Sequence, residues 1–315
     1  MLRGKPVIVG GGNVGLAVAA HMQAMSWQLD RRAGGAPRSH GALVCNGFLG
    51  LGRDAVVADV LGGTLSDEQG SWMTDNWAWP DPEHPRYLYA LRDWAWVWVP
   101  VWSRDQGWAW CQVSRDQCEV EALPRAHGLD ELTLFAVSVR AEQVEAASQQ
   151  GVVMRGPAAR EAWVHVQAIH AMGLLAIGAG ALTTAWHRAR DFSEMRHQGG
   201  QTIIGHAAVQ VLLAEASGAI HEAEQALRTA VSPVAQWPDL RQRWTDRLRH
   251  QANLSAGASA ALQVFGGMGY MQDNGMEKTL RDLNVLRLMG GAPAELRMIL
   301  ATWDRVQPRL REMAP

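Results

Sequence analysis

Cysteine is scarce and unpaired in this chain. The three present, Cys45, Cys111 and Cys118, form an odd set with no Cys-x-x-Cys spacing, so neither a disulfide framework nor a thiolate zinc site is implied and a reducing, cytoplasmic setting fits. Long apolar runs are also missing. None approaches the roughly 18 residues that a spanning helix needs, and the N-terminus lacks the basic start, apolar core and cleavage site of a leader, which argues against a membrane protein and against secretion. Charge of one sign is not in excess either: 29 Lys and Arg stand against 31 Asp and Glu, a net of -2. That balance gives no general attraction to nucleic acid or anionic membrane and leaves a small molecule or a soluble protein as the expected partner. No internal repeat or low-complexity tail is present. With 315 residues the chain can bury one large core, or two to three modest ones, without staples.

Tryptophan is what the chain has in abundance, and most of its fifteen copies fall between Trp72 and Trp110. In Asp93-Trp-Ala-Trp-Val-Trp-Val99 they recur at every second residue, which predicts a strand with Trp94, Trp96 and Trp98 on one face and Ala95, Val97 and Val99 on the other, both covered. Trp108 to Val113 and Thr133 to Val139 read as two further strands, giving a small β-domain over residues 71–150. Residues 1–70 read as a short helical domain broken by glycines, with helical spacing at Val14, Val18, Met22 and Met25. Over 156–315 the period is helical throughout. Glu161 to Arg190, Thr202 to Thr229, Trp237 to Leu262, Gly275 to Met289 and Ala292 to Arg311 suit an antiparallel bundle, with Gly178, Ala179, Gly180 and Ala181 permitting close approach. The expected class is α+β, mainly α.

The glycine-rich start places Gly10, Gly12 and Gly15 in a Gly-x-Gly-x-x-Gly pattern followed by Asp30, the arrangement that sets a dinucleotide on a helix N-terminus. The strand and helix alternation of a full nucleotide domain does not follow it. A glycine-rich lead into a helix is therefore the preferred reading.

Two blocks carry a sharper signal. Ala261 to Met289 reads ALQVFGGMGYMQDNGMEKTLRDLNVLRLM, and Arg196 to Glu215 reads RHQGGQTIIGHAAVQVLLAE. The first resembles the closing segment of the acyl-CoA dehydrogenase family, with its Gln-x-x-Gly-Gly turn and its Arg-Asp pair. The second is similar to that family's Arg-x-x-Phe-Gly…His-Gln…Gln…Leu-Ala block, at the right order and distance. The resemblance is firm from Arg188 to Leu300 and fair from Gly128 to Val139. It implies an N-terminal helical part, a middle β-domain and a C-terminal helix bundle, with the first two shorter here than the family usually has. It also implies flavin adenine dinucleotide (FAD) as cofactor.

From spacing alone Arg196 is a solvated arginine near a helix C-terminus, and Gly266 and Gly267 are ordinary helix caps. The resemblance gives Arg196 and Gln198 a second meaning as residues that reach the cofactor of a neighbouring subunit, which suits a guanidinium able to fork onto phosphate oxygens. It likewise gives Gln263, Gly266 and Gly267 a backbone contact to the adenosine diphosphate part. The family's phenylalanine is replaced by Gly199, so an aromatic contact is lost.

The departures fall on the chemistry. The family's usual base is a glutamate, which removes the α-proton of an acyl-CoA while the flavin takes the β-hydrogen. The resemblance places Gly290 at that position, with Gly291-Ala292-Pro293 beside it, so no catalytic residue is expected there. A minority position for the base corresponds to His170. A lone histidine on an apolar helix is more often a packed core residue, which leaves His170 as the lesser alternative. Asp273 and Glu277 read as surface capping charges. In the β-domain only Met73-Thr74-Asp75 resembles the family's flavin-packing stretches.

The resemblance thus implies a chain that keeps the elements given to a neighbour's flavin site and lacks those it would use itself. The expectation is a small subunit of a heteromeric FAD-dependent acyl-CoA dehydrogenase acting on an acyl-CoA, completed by a larger subunit that carries the base. Two alternatives stay open: a self-sufficient flavoprotein oxidase or monooxygenase of the same fold, and a cofactor-free structural relative; the partner is then the chain itself, in a homo-oligomer. No metal, nucleic acid or membrane partner is expected.

Overall fold

The computed structural model of the chain describes residues 13–43, 79–103, 105–124, 126–230 and 240–312. Gly10, Gly12, Cys45, Trp72 and Met73-Thr74-Asp75 lie outside them. By its internal contacts the chain divides into two compact units, one over 1–18, 127–131 and 171–287 and the other over 19–126, 132–170 and 288–315.

The second unit holds the sheets. Strands β1 (Gly41–Leu43), β3 (Trp96–Ser103), β4 (Gly107–Ser114) and β7 (Val152–Arg155) form one sheet in the order β1-β3-β4-β7. Strands β2 (Arg86–Ala90), β6 (Thr133–Val139) and β5 (Cys118–Ala122) form another, antiparallel throughout. The tryptophan alternation does produce a strand, and both of its faces are covered: Val97, Trp98, Val99 and Val101 are all buried. Trp98 meets Trp110 edge to face at 6.3 Å. The Trp110 indole N–H donates to the Ala159 carbonyl at 3.1 Å, so Trp110 combines a large apolar surface with a satisfied donor. The strand runs from Trp96 to Ser103 rather than from Asp93, because Trp94 precedes the ladder and is held by the Arg115 guanidinium 4.7 Å from its ring.

Helix α1 (Val14–Arg32) buries Val14, Val18, Met22, Met25 and Leu29 on the face their spacing predicts. Near its end Asp30 is buried. One carboxylate oxygen accepts the Arg38 N–H at 2.8 Å and the other the Gln112 amide at 3.0 Å. The acid that would have met a ribose is thus engaged by the protein itself. Gly15 sits against the Glu131 carboxylate, where a Cβ would clash.

Helix α2 (Gly156–Met195) is longer than expected at both ends. Pro157 suits the first turn, where its missing N–H costs nothing, and Gly173, Gly178 and Gly180 are carried within the helix without breaking it. The helix contains an 18-residue window of mean hydropathy 1.5, long and apolar enough to cross a membrane, yet 61% of that window is buried inside the protein. It is a core helix.

The first unit is helical. It contains the C-terminal part of α2, the two-residue strands β8 (His197–Gln198) and β9 (Gln201–Thr202), then α3 (Ala207–Ala230), α4 (Leu240–Val264) and α5 (Met276–Leu286). Its core gathers Leu174, Leu182, Leu213, Leu254, Leu262 and Leu283, all buried. Helix α6 (Pro293–Glu312) belongs to the other unit. The chain is mainly helical with small sheets, the expected class.

Candidate functional site

The last turn of α2 presents Phe192, Arg196 follows its final residue, and the chain then reverses through β8 and β9. Gln198 pairs with Gln201 across a two-residue turn in which Gly199 and Gly200 both have positive φ, +64° and +83°. That is the signature of a type I′ turn, which only glycine and a few small polar residues enter at low cost. Gly199, where the family has phenylalanine, takes the first of these two positions. The Ile203 N–H donates back to the Arg196 carbonyl at 2.8 Å and ties the hairpin to the helix end.

Opposite, α4 runs to Val264. Gly266, at φ +57°, turns the chain into a short 3-10 helix over Gly266–Tyr270. Phe192 stacks on Phe265 with ring centroids 4.4 Å apart and planes at 21°. Between hairpin and turn lies a cleft of about 780 Å³. Arg196, Gln198, Gln263, Gly266 and Gly267 all line it. Two blocks distant in sequence are brought to one place.

The cleft is cationic or neutral. Arg196 and His206 are its ionisable lining groups, and no carboxylate lines it among the described residues. Arg196 is exposed and forms no ion pair among the described residues. At Gly266 and Gly267 nothing lies within 4 Å of where a Cβ would stand, so bare backbone faces open space. Phe192, Ile203, Val209, Val264 and Met268 supply apolar surface. A ligand with an anionic centre and a flat apolar part fits this lining.

His206 was not singled out from sequence, although it stands inside the Arg196 to Glu215 block. Its Nε2 is 3.0 Å from the Gln198 carbonyl oxygen and its Nδ1 is 3.3 Å from the Gln201 amide nitrogen. A neutral ring with its proton on Nε2 satisfies both contacts. The ring also lies over the turn, 3.3 Å from where a Gly199 Cβ would be.

The candidate base positions are elsewhere. Gly290 and Gly291 have φ +63° and +110°, are buried, and carry no proton acceptor. The nearby carboxylate, Glu295, accepts the Ala292 N–H at 2.8 Å and so caps α6. His170 is buried on α2 and stacked on His21, with centroids 5.5 Å apart and Nδ1 to Nε2 at 3.3 Å. Burial holds the His21 pKa down at about 4, so that partner is neutral. Glu277 pairs with Arg281 at 2.6 Å, and Asp273 is exposed. Burial also raises the Cys111 and Cys118 thiols, the latter to about 12, which leaves both unreactive.

Residues 166–303 match the family described as acyl-CoA dehydrogenase, C-terminal domain. Isobutyryl-CoA dehydrogenase of Dictyostelium discoideum, a mitochondrial protein, is 30% identical over 138 residues, which are 41% of this chain and 32% of that relative. The family match places residues 166–303 in the acyl-CoA dehydrogenase C-terminal domain family. It matches about a third of the length of its curated relatives. Two solved structures extend the likeness of fold. A prolyl acyl carrier protein oxidase, AnaB, superposes with a TM-score of 0.62 at 14% identity over 91% of this chain and 89% of its own. PigA, solved with FAD and proline, superposes with a TM-score of 0.56 at 12% identity over 75% of this chain and 64% of its own.

FAD is the group the family implies. The described residues suit its adenosine diphosphate end: an arginine without an anionic partner, open backbone at Gly266 and Gly267, and no opposing carboxylate. For the reacting end the described residues offer no carboxylate at the usual base position.

Proposed function

We propose that this chain is the small subunit of a heteromeric FAD-dependent acyl-CoA dehydrogenase, its cleft closing on the adenosine diphosphate end of a flavin whose ring sits in a larger partner subunit. The observation that carries the reading is an asymmetry. Arg196, Gln198, Gln263, Gly266 and Gly267 converge on one carboxylate-free cleft, while glycine occupies the position of the base.

In this reading bound FAD supplies a hydride acceptor for the α,β-desaturation of an acyl-CoA thioester. The tasks of this chain are binding tasks. Arg196 offers a permanently charged fork for phosphate oxygens. Gly266 and Gly267 let backbone lie against the ligand without a Cβ between. Gln198 and Gln263 offer amide donors and acceptors, and Phe192 with Phe265 gives a rigid wall. The α-proton is removed by a carboxylate of the partner. The three sequence segments, 1–70, 71–150 and 156–315, are proposed as the shortened equivalents of the family's three domains, and the setting as cytoplasmic.

The test is the visible absorbance spectrum of the chain purified alone and after co-expression with a candidate full-length family member. Flavin bands only in the co-purified complex support the subunit reading. Near-stoichiometric bands in the lone chain overturn it in favour of a self-sufficient flavoprotein oxidase or monooxygenase, and colourless preparations in every combination overturn it in favour of a cofactor-free relative.

A further inference from the structure

We infer that Arg188 is a positioning residue for the cleft, acting through Asn274 to hold the Gly266-Gly267 backbone in register with Arg196. Arg188 and Phe192, spaced i and i+4, share one face of α2 about 6 Å apart along its axis, and Arg196 directly follows the helix end, its N–H donating to the Phe192 carbonyl at 2.9 Å. Each meets a different part of the site. Arg196 lines the cleft and Phe192 stacks on Phe265, immediately before the glycine turn. Arg188 Nη2 donates to the Asn274 backbone carbonyl and, at 3.1 Å, to Asn274 Oδ1. Its other Nη lies 3.7 Å from where a Gly275 Cβ would stand.

Asn274 passes the constraint inward. With Oδ1 held by a group that can only donate, its Nδ2 is turned away and donates to the Met268 carbonyl at 3.3 Å. Met268 lines the cleft directly after Gly267. The stretch from Phe265 to Gly275 is therefore gripped at both ends by the helix face that leads to Arg196.

Such tethers matter here because little else holds the stretch. It consists of two short 3-10 turns, whose hydrogen bonds are poorly aligned. Met268, Tyr270 and Met271 are 53%, 65% and 57% exposed. Gly269, packed on the Leu262 carbonyl, is its buried anchor. A ligand that must meet Arg196 and the glycine backbone together gains affinity when their separation is fixed beforehand. Arg188 is itself exposed, so water competes for its bonds and the expected effect is modest.

This inference rests on the cleft as the proposed ligand site, and its test separates the two claims. The full chain and its Arg188→Ala, Asn274→Ala and doubly substituted forms are titrated with ADP by calorimetry. Backbone amide exchange over residues 266–275 is followed in parallel, with the melting temperature as control. Each single substitution should weaken ADP binding roughly three- to tenfold and speed exchange at Met268 to Asn274, with melting nearly unchanged. The double form should be no worse than the worse single one. Additive losses, or unaltered affinity and exchange in Arg188→Ala, overturn the inference. If the unaltered chain alone does not bind ADP, exchange alone decides for or against the tether, and the cofactor reading stands or falls on the flavin content of the co-purified complex.

Discussion

Arg281 meets Asp130 fork to fork, Nη1 to Oδ1 at 3.1 Å and Nη2 to Oδ2 at 3.0 Å. Its neighbour Asp282, buried, accepts the Leu129 N–H at 2.7 Å and the Lys278 ammonium at 2.6 Å, while Lys278 also reaches Glu131 at 2.9 Å. The Arg-Asp pair of the family pattern thus works here as a clamp on residues 127–131. Leu129 shows how firmly: a bulky residue held at φ +59° and fully buried, a conformation worth about 1–2 kcal/mol of strain unless its surroundings impose it. Asp282→Ala should cost about 1.5–3 kcal/mol, because it removes one of the two carboxylates that meet the part-buried Lys278 ammonium and leaves the buried Leu129 amide without its acceptor. Urea unfolding followed by tryptophan fluorescence measures it, and a loss below 1 kcal/mol would refute the clamp.

Arg196→Ala should leave the fold intact, since the side chain is exposed and forms no ion pair among the described residues. Removing a charge-assisted phosphate contact should weaken flavin retention in the complex by about 1.5–3 kcal/mol. Flavin content per complex is the readout. Unchanged content at limiting FAD would withdraw the residue from the cofactor site.

Gly266 and Gly267 separate the demands of folding and binding. Gly266→Ala forces a Cβ into the left-handed region and should destabilise by about 1 kcal/mol. Gly267→Ala meets neither positive φ nor a neighbour within 4 Å, so melting should not move. If a ligand lies on this backbone, its affinity should nevertheless fall several-fold in Gly267→Ala. An affinity unaffected by both changes would place the ligand elsewhere.

The histidine pair makes stability depend on pH. His21 keeps some solvent-facing surface, but its ring lies flat on His170, and burial lowers its pKa from 6.5 to about 4. A depressed histidine pKa means that the unfolded chain binds the proton more readily. Its contribution is therefore complete above pH 6.5, is lost as pH falls below that value, and levels off near pH 4. The loss should reach about 2–3 kcal/mol at its limit. Unfolding free energies of the chain and of His21→Gln, compared between pH 7 and 4.5, should converge towards the acid end. Parallel curves would show that His21 titrates normally.

Much of the architecture was legible because its periods are long and clean. The alternating tryptophans announced β3, and the core spacing of α1 and the bundle helices announced those. Arg86–Ala90 and Cys118–Ala122 were missed as strands. The second of these leaves most of its residues exposed, so its identity comes from pairing with β6 rather than from an apolar face. The members of the cleft were legible only as a resemblance, since nothing in their spacing says that Arg196 and Gly267 will face each other. The duties of Asp30 and Asp282 were illegible. Each answers to partners far along the chain, Gln112 in one case and Leu129 in the other, and a buried carboxylate looks like any other in sequence.

The turn at Gly199 also constrains what substitution can restore. The backbone there is left-handed, and the His206 ring lies 3.3 Å from where a Cβ would stand. Putting the family's phenylalanine back at 199 alone would set a large side chain in a disfavoured conformation against an occupied volume. A larger side chain at 199 therefore calls for a smaller or displaced one at 206 as well.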